Sequence, residues 1–118
     1  MTYDELRVYC LAKAGASEGF PFGDDTAVLK VMSKMFALMP VGAAPARMNL
    51  KCDPNWALVL RATYTAITPG YHMNKAHWNT VIVDGSVPAD LVYEMIDHSY
   101  KLVAQSLPRA EREKLGAL

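Results

Sequence analysis

From Arg47 to Cys52 the chain alternates: Met48, Leu50 and Cys52 interleave with Arg47, Asn49 and Lys51. A period of two places these sets on opposite sides of a strand. Residues 26–32 and 34–39 are rich in β-branched and long apolar side chains, and with Ser33 between them they predict a hairpin. Residues 41–46 read as a small-residue loop. The period then changes. Trp56, Leu60, Tyr64 and Ile67 follow at spacings of four and three, which predicts a helix with one core-facing stripe. Asp53-Pro54 opens it, because Asp accepts from free N–H groups and the fixed φ of Pro suits a first helical position. A last long helix starts at Pro88. Leu91, Val92, Met95, Ile96, Ser99, Leu102 and Val103 lie on one side of it, and Glu94, Asp97, His98, Lys101 and Gln105 on the other, so His98 is expected in solvent.

The remaining segments are read from their punctuation. Thr2 and Glu5 form a capping-box pattern, which predicts a first helix over residues 3–14, ended by Gly15. Gly15, Gly19 and Gly23 lack the Lys-Ser/Thr of a phosphate loop and are read as a loop. Residues 20–23 are read as a short extended piece, because Pro21 excludes a regular helix. Pro69-Gly70 is read as a break. Residues 71–73 and 78–83 predict a second hairpin with Asn74-Lys75 near its tip, pairing His72 with His77 and Tyr71 with Trp78. Residues 109–114 read as a charged terminal turn or short helix. The order of elements predicts one α+β domain over residues 1–118: an antiparallel sheet with two hairpin wings and helices packed on one face, the other face partly wet.

Composition narrows the class. The 118 residues are 52% apolar and 20% charged, which is globular in character. No apolar run approaches the roughly 20 residues of a membrane span. The first residues lack the basic and apolar regions of a signal peptide, and two cysteines make no disulfide framework, so a reducing cytoplasm is the expected compartment. Formal net charge is zero, but residues 27–80 hold six basic residues against one acid, a local excess of +5. A basic middle suits phosphate contact, and overall neutrality limits it to a weak, salt-dependent grip. The candidate nucleic-acid contacts are Lys30, Lys34, Arg47, Lys51, His72, Asn74, Lys75, His77 and Asn79. The alternative is a protein-interaction or chaperone-like module that binds a partner on its sheet face.

Other chemistry is poorly served. His72, His77 and Cys52 fall short of a convincing zinc set, which needs three or four N/S ligands in tetrahedral array. Nucleophilic catalysis needs a Cys or Ser beside a base and an orienting group, but Asp53 is expected to be occupied as a helix cap. No G-x-S-x-G elbow occurs. The expectation is a non-enzymatic module without cofactor or metal.

One stretch is long and unusual: Pro69-Gly70-Tyr71-His72-Met73-Asn74-Lys75-Ala76-His77-Trp78-Asn79-Thr80-Val81. Together with Phe20-Pro21-Phe22-Gly23, Lys34-Met35-Phe36-Ala37, Asn49-Leu50-Lys51-Cys52-Asp53-Pro54, Asp84-Gly85-Ser86 and Asp97-His98-Ser99-Tyr100, it resembles the MmcQ/YjbR family over nearly the whole chain. The resemblance implies a small cytoplasmic bacterial α+β protein with a CyaY-like fold. It also implies DNA binding, by analogy with the "double wing" domain of a phage transcription factor, and it brings no catalytic residues. The chain departs from the family twice. Met32-Ser33 stand where the first hairpin usually turns on glycines, and Ala76 replaces a second lysine after Asn74.

Overall fold

Each element is set by local chemistry, beginning with α1 (Tyr3–Leu11), whose N-cap Thr2 accepts the Glu5 N–H through its hydroxyl at 3.2 Å. The computed structural model describes residues 1–70 and 73–118. After α1 come β1 (Ala16–Gly19), β2 (Thr26–Val31), β3 (Lys34–Pro40), β4 (Ala46–Lys51), α2 (Pro54–Thr63), β5 (Ile67–Pro69), β6 (Trp78–Val83), α3 (Ala89–Gln105) and α4 (Arg109–Gly116). The strands form one six-stranded sheet in the order β1-β2-β3-β4-β6-β5, with every pairing antiparallel. The α+β class, the β2–β3 hairpin and α3 are as expected; α1 ends at Leu11, short of residue 14, and α2 ends at Thr63, so Tyr64 and Ile67 of its expected stripe lie beyond it, Ile67 in β5.

Alternation divides the sheet into two faces. Leu29, Val31, Ala37, Met39, Met48, Leu50, Val81 and Val83 point to the helices, where they bury against Leu6 and Cys10 of α1, Ala57 and Leu60 of α2, and Val92, Met95, Ile96 and Val103 of α3. Between Leu29↔Ala37 and Lys30↔Met35 the ladder slips by one residue, so Phe36 is a bulge. The extra residue keeps both Phe36 and Ala37 on the helix side, and Phe36 meets Tyr100 edge-on at 5.4 Å.

The next β3–β4 pair in register would join Phe36 to Lys51. The buried Ser99 hydroxyl takes that place: it donates to the Phe36 carbonyl at 2.5 Å and accepts the Lys51 N–H at 2.9 Å. A serine on the apolar side of α3 thus satisfies two sheet groups that a purely apolar side chain would leave unpaired.

Several expectations need correction. The glycine-spaced segment contains β1, and residues 20–23 form a turn closed by Gly23 N–H to the Phe20 carbonyl at 3.2 Å. The partner of β6 is residues 67–69, with Pro69 on the outermost strand, where a missing N–H is tolerated. Met73 lies outside any strand. The expected pairings of Tyr71 and His72 lie outside the described residues. His98 is half-buried, not solvated: its Nε2 accepts the Asp53 N–H at 3.0 Å, and its ring stands edge-on to Trp56 at 4.7 Å.

The first hairpin turns on Met32-Ser33 as expected, with the left-handed conformation on Met32 (φ 53°). Its tip is held against the C-terminal helices: Ser33 donates its N–H and hydroxyl to the Glu111 carboxylate at 3.0 and 2.8 Å. Gly15 (φ +70°) makes the packing possible, since a Cβ there would come within 2.7 Å of Leu115 and 3.2 Å of the Met32 sulfur. No helix among the described residues is long and apolar enough to cross a membrane.

Candidate nucleic-acid interface

The helices leave the second face of the sheet open. One row of it runs across all six strands as Gly19–Val28–Leu38–Asn49–Thr80–Thr68. Val28, Leu38 and Trp78 are buried here without a helix above them, covered by Met35 and Met73. Trp78 is therefore cross-strand packing, as its size predicts.

The cations of the basic middle separate into two groups. Lys30, Arg47 and Lys51 alternate with helix-facing residues of β2 and β4, so all three project from the open face. Strand geometry sets Lys30 and Lys51 about 10 Å apart across β3, and Arg47 about 13 Å along β4 from Lys51. No acidic residue of the strands shares that face: Glu18 points to the helix side, where Arg7 holds it at 2.6 Å. The other ion pairs, Lys13–Asp97 and Arg109–Glu113, also lie elsewhere. Among the described residues no carboxylate pairs with Lys30, Arg47, Lys51 or Lys75. Lys34 leaves this group. Its ammonium donates to the Ser106 carbonyl at 2.8 Å, at the end of α3, where helix carbonyls lack partners.

The turn before β6 is built by its own side chains. The Asn74 carboxamide oxygen accepts the Ala76 N–H at 3.0 Å, and the Asn74 carbonyl accepts the N–H groups of His77 and Trp78. Arg61 of α2 then fastens the turn: its guanidinium donates to the carbonyls of Lys75 and Trp78 and, at 2.7 Å, to the Asn79 carboxamide oxygen. Lys75 and His77 stay exposed. Asn79 does not: it is 1% exposed on the helix side, and its Nδ2 lacks a hydrogen-bond partner among the described residues, so it is no surface contact. His72 lies outside the described residues.

Beside this turn the open face sinks into a cleft of about 710 Å³, lined by Phe22, Thr26, Leu38, Pro40, Arg47, Asn49, Thr68, Met73, Thr80 and Ile82 among others. Its size falls within the ~300–1,000 Å³ usual for small-ligand sites. The walls are largely apolar, with Arg47 charged and hydroxyls from three threonines. Within it Thr80 donates to the Asn49 carboxamide oxygen at 2.6 Å, which fixes that oxygen toward Thr80. Sequence reasoning missed Phe22, Arg61, Thr80 and the part played by Asn49. Alternation placed Asn49 beside Arg47 and Lys51 and was the signal for it; nothing local marks Arg61.

Burial pushes the Cys52 thiol up to about 11, with Asp53 adding to the rise, and burial takes Cys10 to about 12, so both stay protonated at neutral pH. Among the described residues no three His, Cys, Asp or Glu side chains converge as a metal site.

The family model described as YjbR matches residues 11–102. An uncharacterised Escherichia coli K12 protein named YjbR is 36% identical over 118 residues, all of each chain. The crystal structure of Deinococcus radiodurans protein DR2400 superposes with a TM-score of 0.89 at 45% identity, covering 98% of this chain and 88% of that one. A Pseudomonas syringae protein of known crystal structure gives a TM-score of 0.75 at 26% identity, over 87% of this chain and 99% of that one.

Proposed function

The chain belongs to the YjbR family, and on that premise we propose that it is a small, non-enzymatic cytoplasmic module that binds nucleic acid on the open face of its sheet. One observation carries the reading: Lys30, Arg47 and Lys51 project from a face whose strands hold no acid, with Lys75 and His77 exposed on the turn beside it. Free cations on one surface attract a polyanion, and counterion release makes the attraction fall with salt. Zero net charge keeps it modest. The β2–β3 tip is engaged with α4, so the contact belongs to the strands and the 74–78 turn.

Titration of labelled oligonucleotides is the test. Binding is expected at about 20 mM salt and should weaken steeply by about 150 mM. Arg47→Ala should weaken every sequence alike and reduce the salt slope by about one. No binding at the lower salt overturns the proposal. The apolar lining of the cleft favours a second reading, a protein partner seated on the same face. That reading predicts a defined complex insensitive to salt.

A further inference from the structure

We infer that the polyanion taken by the open face is single-stranded nucleic acid, with at least one unstacked base seated in the cleft. The inference rests on the reading above and specifies its ligand. A duplex keeps its base faces stacked inside and presents phosphates and groove edges, which would leave the apolar surface of Phe22, Met73 and Ile82 without a flat partner. A single strand can turn a base outward, and bases out of the stack are what proteins hold on aromatic side chains and read along their edges.

The cleft has the parts for this. Phe22 is 65% exposed and lines the cleft, an aromatic side chain largely open to a ligand. Leu38 and Ile82 supply apolar lining, and the Asn49 carboxamide, its oxygen held by the Thr80 hydroxyl, has its amide nitrogen as the donor for a base carbonyl or ring nitrogen. Arg47 lines the same cleft, so a phosphate attached to the seated nucleoside lies within reach of a cation without an ion-pair partner among the described residues. Charge and apolar surface are thus adjacent, which suits a ligand that is anionic along its backbone and flat and apolar at its bases.

The experiment uses three labelled ligands of equal length at about 20 mM salt: a single strand, the corresponding duplex, and a single strand whose sugars carry no bases. The intact single strand should bind about tenfold more tightly than the abasic one, which keeps the phosphates, and more tightly than the duplex. Phe22→Ala, at an exposed position, should lower affinity for the intact strand several-fold and leave the abasic strand unchanged. Equal binding of intact and abasic strands, or tighter binding of the duplex, overturns the inference and leaves nucleic-acid binding standing. Failure of all three ligands to bind removes the underlying reading as well.

Discussion

Ser99 shows how much one hydroxyl decides. It is wholly buried between Phe36 and Lys51, and Ser99→Ala would strand a carbonyl and an N–H in the core. The expected loss is about 1–3 kcal/mol, read as a lower urea midpoint with an unchanged slope. A midpoint equal to that of the parent would contradict the role. His98 makes a comparable junction whose strength depends on pH. Burial lowers its pKa below the ordinary 6.5, against the opposing pull of Asp53 and Glu94, and the neutral ring accepts the Asp53 N–H. The unfolded chain therefore takes up the proton first as pH drops. The contribution is full above about pH 6.5 and is lost as pH falls through the folded value. His98→Gln keeps an acceptor that does not titrate, so between about pH 7.5 and pH 5.5 the variant should lose less stability than the parent. Equal losses would refute the assignment.

At the scale of elements, α2 does more than cover the core. Arg61, near its C-terminal end, grips the 74–78 turn through two carbonyls and the Asn79 amide. Arg61→Ala should free that turn: amide exchange at His77 and Trp78 should accelerate, while the amides of β2 and β3 keep their protection. Uniform acceleration would point to global destabilisation instead. These contacts mark where the sequence was legible. Local periodicity found α2, α3, β4 and the first hairpin, because one face of each is apolar at a fixed spacing. It missed β1, whose Ala-Ser-Glu-Gly carries no apolar alternation and is held by its ladder to β2. It also missed β5, because Pro69 reads as a breaker and is harmless on an outermost strand. His98 was assigned to solvent from its place on the polar side of α3, yet that side meets the N-terminus of α2.

For the whole molecule, balanced charge conceals an uneven distribution. Among the described residues Glu18, Asp97 and Glu113 pair with Arg7, Lys13 and Arg109, and none of those ion pairs draws on the basic middle of the chain. The sequence displayed the +5 excess but not its arrangement, since only the fold puts Lys30, Arg47 and Lys51 on one face and sends Lys34 to the end of α3. The cleft was equally illegible: its walls come from Phe22 of the 20–23 turn, five strands and Met73, brought together by the sheet order. Because the proposal is about a face, the most direct measurement is one that locates contact. Amide chemical shifts recorded while a short single strand is added at low salt should move along β4 and β6 and around Phe22, Met73 and Lys75. Shifts confined to the outer surfaces of α1 and α3, or no shifts at all, would contradict the account.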